Sequence, residues 1–384
     1  MKKCQNMMAL AAILVVSACQ DQTVTNAQTE QQATKEKAMS AEQNNAQLNE
    51  QTSEQNMKPF DSKLAKPVAD KSPHIFAQHN HERVDNYHWI RDDSREDKKV
   101  LDYLNAENSY TEAQMADSAQ LTDKVYQEVI GRMIQDDESV PVKLDDYWYY
   151  SRFESGKEYP IYARKKDSME NVEAVILDVN VLAKDQAYYA TNNQAISPNH
   201  QILAYSEDTV SRRQYDLFFK DLTSDSLLPD VIKNTTGSVA WAKDNKTLFY
   251  TRKHPTTLLP YQVFRHVLGT PVEEDVLVYE EADNTFYISC YTSRSRDYIM
   301  IQAGSTTNSE AMYLSADDPM GEFKSILPRE KDHEYEVEDF NGEFIINTNW
   351  QAKNFRIMKT KIGAEADKSL WTEVVPHDNE TLIY

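Results

Sequence analysis

The sequence predicts a mainly β fold of the propeller type, with about five blades countable and an α-helical segment ahead of them. Three features predict it. Beyond Pro141 the apolar residues alternate with a period of two, which places successive side chains on opposite faces of a strand. Strand pairs led by polar turns then recur at steps of roughly 40–57 residues, where a β-sandwich would take shorter, more even steps. The 22 tyrosines suit such sheets, being β-prone and amphipathic, whereas only 8 glycines argue against folds built on glycine-rich loops.

Taken in order, the chain opens with an address. Lys2 and Lys3 precede an apolar run, Met7–Val16. At about ten residues the run falls well short of the roughly 20 that a spanning helix needs, so residues 1–19 read as a secretory signal. Val16-Ser17-Ala18-Cys19 looks like the lipobox of bacterial lipoproteins, which makes Cys19 the candidate lipidation site. Gln20 after the cysteine points to the outer membrane of a Gram-negative bacterium, with the protein on its periplasmic face. Acylation of Cys19 would leave Cys290 alone in the mature chain, without a disulfide partner. Residues 20–66 are Gln, Asn, Thr, Glu, Ala and Lys with few aliphatics, and are expected to be a disordered tether.

Residues 67–141 read as a helical amino-terminal segment. Ser94-Arg95-Glu96-Asp97 resembles a capping box, followed by Val100, Leu101, Leu104 and Ala113 on one broad face. A second helix is expected over 119–134, where Leu121, Val125, Val129 and Met133 recur every fourth position, with Gly131 near its end and Pro141 beyond it. Residues 142–384 read as the partial propeller. Its strand pairs are Tyr147–Tyr150 with Ile161–Arg164, Ile202–Tyr205 with Asp216–Lys220, and Leu248–Tyr250 with Gln262–Arg265. Phe286–Ile288 with Tyr298–Gln302, and Glu343–Asn347 with Asn354–Met358, complete the set. Four open on a polar turn: Asp145-Asp146, Asn199-His200, Asp244-Asn245 and Asn341-Gly342.

Longer runs carry a family resemblance. Arg83–Asp93, Val100–Asn108, Tyr147–Arg164, Ser197-Pro198-Asn199, Glu207–Tyr215, Asp244–Phe264, Asp275–Phe286 and Ser305–Glu310 resemble the amino-terminal half of oligopeptidase B, a branch of the prolyl oligopeptidase family of serine peptidases. Asn80 stands where that family usually has Gly, and Ile90 replaces a common Leu. The resemblance implies a seven-bladed β-propeller, here incomplete, joined in the family to an α/β-hydrolase domain carrying Ser, Asp and His. It also implies cleavage of short peptides after Arg or Lys, so short basic peptides are the expected partners. The chain is expected to stop inside a sixth blade, ahead of that hydrolase domain. No G-x-S-x-G occurs, since no two glycines lie four positions apart. The expected catalytic residues are therefore none, and the chain as written is expected to be inactive. A non-catalytic periplasmic peptide-binding or scaffold lipoprotein is the alternative.

Other clusters have ordinary readings. His79 and His81, with His74 and Glu82 nearby, alternate along a presumed strand and lack the E-x-x-H or Cys partners of a zinc site, so no metal and no cofactor is expected. Asp92-Asp93 and Asp136-Asp137-Glu138 read as solvated carboxylates at helix ends or in loops. Ser293-Arg294-Ser295-Arg296 is a basic turn too short for a nucleic-acid footprint, and 41 basic against 62 acidic side chains, net −21, exclude nucleic acid as a partner. Cys290 reads as a small buried residue of a strand.

Overall fold

A computed structural model describes residues 64–383. Cys19 and most of the expected tether therefore lie outside the described residues. The described chain forms two compact units, divided between Met133 and Ile134.

The first unit opens with a hairpin, β1 (His74–Gln78) and β2 (His81–Asp85), closed by His79 and Asn80 in the left-handed region. Asn tolerates φ of 60° because its short amide bonds locally, which is how it fills a position the family usually gives to Gly. Helix α1 (Lys98–Met115) begins later than the capping-box reading places it. Asp92 takes the hydroxyl of Ser94 and the amides of Ser94, Glu96 and Asp97, so Ser94 cannot cap. Asp97 caps instead, accepting from the amides of Lys99 and Val100. Helix α2 (Ala119–Ile130) stops at Gly131, short of the expected 134, and Met133 lies beyond it. Of the apolar stripe on α1 only Val100 is buried, and Leu121, Val125 and Val129 on α2 are exposed.

The second unit carries five four-stranded antiparallel blades. Blade 1 is β3 (Val142–Leu144), β4 (Tyr147–Arg152), β5 (Ile161–Lys166) and β6 (Ala174–Asp178), followed by one short helix, α3 (Val179–Leu182). Residues 134–141 join this unit through Glu138, which bridges to Arg152, and through Asp137, whose carbonyl accepts from Phe153. Blades 2 and 3 share a strand: β7 (Ala190–Ile196), β8 (Ile202–Asp208), β9 (Tyr215–Asp221) and β10 (Ser226–Trp241) run on into β11 (Thr247–Lys253), β12 (Pro260–Val267) and β13 (Val276–Glu280) as one seven-stranded sheet. The 16-residue β10 pairs with β9 over its first half and with β11 over its second, and its register shifts where the halves meet at Thr235. Gly237 (φ 89°) lies at this transition, in a conformation an L-residue enters only under strain. Blade 4 is β14 (Tyr287–Thr292), β15 (Tyr298–Gly304), β16 (Ser309–Ser315) and β17 (Lys324–Ser325); blade 5 is β18 (Tyr335–Phe340), β19 (Glu343–Thr348), β20 (Arg356–Lys361) and β21 (Thr372–Val375).

Every strand pair expected from the period-two pattern is present, in antiparallel register. The expected entry into a sixth blade is not made. Residues 376–383 form no strand; instead they return to the β19–β20 connection, where Asn354 donates to the carbonyls of Asp378 and Asn379 and accepts from the Ile383 amide.

Alternation also explains the core, which consists of four clusters, one between each pair of consecutive blades. On β11, Leu248 and Tyr250 face blade 2 while Phe249 faces blade 4. On β15, Ile299 and Ile301 face blade 3 while Met300 faces blade 5. A central strand buried on both faces needs apolar residues throughout, hence the runs Leu248-Phe249-Tyr250 and Ile299-Met300-Ile301. Cys290 joins one cluster at 3% exposure, and burial pushes its thiol well above the ordinary range.

Candidate functional site

Each blade joins its first two strands by a short polar turn, and each turn places one non-glycine residue in the left-handed region: Asp145, His200, Asn245, Arg296 and Asn341, with φ of 53°, 61°, 62°, 69° and 50°. Asp, Asn and His are the residues that accept this conformation at least cost; Arg is not among them. In blades 2 and 4 the turn is closed by an i+3 bond, His200 to Ser197 and Arg296 to Ser293. Side chains brace the turns: Asn199 accepts from Ser197, and Asp244 accepts from the amides of Lys246 and Thr247.

Contacts between turns then link the blades. The Asn199 amide donates to Asn245 at 2.7 Å, tying blade 2 to blade 3. Lys243 reaches Asp297 at 2.6 Å and Asp317 at 2.9 Å, tying blade 3 to blade 4. Blade 1 meets blade 2 where Arg164, stacked 4.3 Å from the centre of the Tyr147 ring, donates to the His200 carbonyl at 2.6 Å. The His200 ring lies between Tyr149 Oη, 2.8 Å from Nδ1, and Asp145, 2.9 Å from Nε2. Finally Arg296 of blade 4 grips both carboxylate oxygens of Asp145 of blade 1, at 2.7 and 2.8 Å. Arg296 and then His200 hold the Asp145 carboxyl well below the usual carboxylate range, against a smaller opposing effect of burial.

A second concave region lies between the first strands of blades 4 and 5. Its cavity of about 340 Å³ is lined by Ser289, Tyr291, Gln302, Glu336, Glu338 and Asn347, among others. Glu336 and Glu338 alternate with buried residues along β18 and are exposed. Burial, reinforced by Glu338 and Glu336, pushes the Tyr291 hydroxyl well above its ordinary range.

Among the described residues the arrangement nearest to a hydrolytic triad is Thr348, His333 and Glu330. Thr348 Oγ1 lies 2.9 Å from His333 Nε2, and Glu330 lies 3.3 Å from Nδ1. Nδ1 nevertheless makes no hydrogen bond to Glu330, and Thr348 is fully buried and accepts from the Trp350 amide. A nucleophile must reach substrate, and this hydroxyl cannot. The other histidine–carboxylate sets carry no serine, threonine or cysteine on the second nitrogen: His200 has the Tyr149 phenol there, and His266 has a second Asp.

Most of the clusters singled out in the sequence serve local structure. His79 and His81 do not alternate along one strand; His79 sits in the hairpin turn and His81 opens β2. His74 stacks on His88 with ring centres 4.1 Å apart, and Phe76 packs edge-on against both. Asp136 accepts from the Ser155 amide, and Asp92 organises the loop before α1. The basic turn 293–296 is the exception, since Arg296 makes the longest-range ion pair of the described residues. What could have singled it out is position: four equivalent turns are conspicuous in the sequence, and the fourth blade's turn is the one with Arg, rather than Asp, Asn or His, at the corresponding place.

Residues 67–384 match the family model described as the prolyl oligopeptidase N-terminal β-propeller domain. Dipeptidyl aminopeptidase BI of Pseudoxanthomonas mexicana is 42% identical, the match covering 83% of this chain and 46% of that protein. Protease 2 of Moraxella lacunata is 32% identical, with coverage of 82% and 46%. The solved structure of oligopeptidase B from Leishmania major superimposes with a TM-score of 0.76 at 31% identity, covering 82% of this chain and 46% of that one. The chain thus spans about half the length of the relatives it matches.

Proposed function

We propose, because this chain belongs to the prolyl oligopeptidase family and forms that family's N-terminal β-propeller domain, that it is the substrate-admitting part of a serine peptidase acting on short peptides with Arg or Lys at the cleavage point. The family match over 67–384 carries the reading. Exposed Glu336 and Glu338 in a cavity that also holds polar groups, together with a net charge of −21, favour cationic peptides. The covalent chemistry is assigned to residues outside these 384, since the sequence holds no nucleophile elbow and His333, His200 and His266 face no accessible serine, threonine or cysteine. Purified as these residues alone, the chain is expected to bind Arg-rich peptides more tightly than neutral ones of equal length, and to leave Arg-amide substrates uncleaved. Turnover that a serine-directed inhibitor abolishes would overturn the assignment of the chemistry. Equal binding of basic and neutral peptides would overturn the substrate class.

The name of the 42% identical relative favours a second reading, release of dipeptides from a free amino terminus. Blocking the α-amino group of the substrate separates the two. An enzyme that cleaves within peptides still turns over the blocked substrate, and a dipeptidyl aminopeptidase does not.

The amino-terminal address completes the proposal: Cys19 is acylated and holds the protein on the periplasmic face of the outer membrane. The motif Val16-Ser17-Ala18-Cys19 and the flanking Lys2, Lys3 and Met7–Val16 support this. Among the described residues no helix is long and apolar enough to cross a membrane. Cells fed labelled palmitate are expected to label the protein. Cys19→Ala should abolish the label and move the protein to the soluble fraction, whereas an equally labelled variant would remove lipidation from the proposal.

A further inference from the structure

One contact does not fit a simple chain of neighbouring blades. The core clusters and the other turn-to-turn contacts described above join consecutive blades, whereas Arg296–Asp145 joins the fourth to the first. Two turns 151 positions apart in sequence meet within hydrogen-bond distance, so the opening bounded by the turns of blades 1 to 4 is spanned at that end. We propose that Asp145, His200 and Arg296 form a latch that closes this end of the propeller by tying blade 4 back to blade 1, and that parting the Asp145–Arg296 pair opens it.

The local chemistry is built for a closed state. Arg296 adopts φ of 69°, where a glycine would sit without strain. Glycine has no guanidinium, and the planar fork of Arg is what matches both carboxylate oxygens at once. Beneath the pair a relay leaves no member of the latch without a partner. Arg164 donates to Tyr149 Oη at 3.3 Å and to the His200 carbonyl; the Tyr149 hydroxyl pairs with His200 Nδ1, and Nε2 pairs with Asp145. The base of the latch is buried, His200 being only 8% exposed, while its tip is half-open, with side-chain exposures of 44% for Asp145 and 38% for Arg296. A pair at that exposure makes and breaks within reach of solvent ions. Because it rests on the blade-bearing unit alone, the latch stands or falls separately from the peptidase reading.

Distance measurement tests it. With Cys4 and Cys19 replaced by serine, buried Cys290 remains, and nitroxides can be placed at the exposed turn positions D146C and R294C. In the labelled parent chain a single short distance is expected at 0.1 M NaCl. It should shift to longer, broader values at 1 M, as the screening length falls from about 10 to about 3 Å. Added R296A should show the long distribution at every salt concentration. Near-UV circular dichroism guards against a folding defect in the variants, and the salt titration of the parent needs no further variant. Distances in the parent that do not respond to salt, or an R296A chain that keeps the short distance, would overturn the latch.

Discussion

Replacement of His266 by alanine is expected to lower the stability of the blade-bearing unit by about 3–5 kcal/mol, the cost of leaving buried carboxylates without their cation. His266 on β12 is fully buried, with Nδ1 2.6 Å from Asp275 and Nε2 3.2 Å from Asp230. Both carboxylates are themselves almost fully buried, and they also accept from Tyr250 Oη and the Gly269 amide. Asp230 belongs to the part of β10 that pairs within blade 2, so the imidazole ties that blade to blade 3. Burial by itself would push the His266 pKa down, but Asp275 and Asp230 together raise it above its ordinary 6.5. A raised folded-state pKa means that the protonated form is the stabilised one. Its contribution is complete below about pH 6.5 and declines as pH climbs through the folded-state value. Urea midpoints of the parent should therefore fall on going from pH 6 to pH 9, and H266A should be low throughout and lack this component. An alanine variant with the parental midpoint at pH 6 would show that the triad contributes nothing.

The second large effect is expected at Gly237. An alanine Cβ there would lie 2.8 Å from Ser206 Oγ, 3.1 Å from Tyr215 Cγ and 3.2 Å from Asn192 Cβ. Ser206 cannot simply turn aside: it is fully buried, and its hydroxyl donates to the Asn192 carbonyl while accepting from the Asn192 amide. To this overpacking, about 1–3 kcal/mol, is added the strain of an L-residue at φ 89°, about 1–2 kcal/mol. G237A should thus cost about 2–5 kcal/mol by both terms together. Gly156 supplies the control, since its φ is 79° but nothing lies within 4 Å of a Cβ there. G156A should show the strain alone. Equal losses in the two variants, measured by denaturant unfolding, would rule out the steric contribution.

Much of the propeller is legible in the sequence because its information is local. Period-two alternation and a polar turn suffice to pair neighbours such as Tyr147–Tyr150 with Ile161–Arg164. Helix α2 is equally visible, although its four-residue apolar recurrence runs on to Met133, past Gly131 where the helix stops. The start of α1 was misplaced because Ser94 and Asp97 are both acceptable caps, and the choice between them is made by Asp92, whose carboxylate takes the Ser94 hydroxyl first. The continuity of β10 was hidden by Pro229, Asp230 and Gly237, residues that read as breaks until pairing with both β9 and β11 carries the strand past them. Least visible was the linkage of turns. Asp145 and Arg296 belong to different repeats, and no spacing rule relates a side chain in the first blade to one in the fourth.

Shared strand β10 also bears on how the unit comes apart. Repeats that touch only through side chains can detach one at a time, each loss being governed by its own interface. Blades 2 and 3 are instead joined through the backbone hydrogen bonds of a single sheet, and His266 clamps the same seam. They form one cooperative block of seven strands, whereas blades 1, 4 and 5 are separate sheets of four. Exchange of amide hydrogens in β8 to β12 then proceeds by one common opening, and nascent chains must complete Val239–Trp241 pairing with β11 before either half of the block is secure. The folding unit of this propeller is therefore not everywhere the blade.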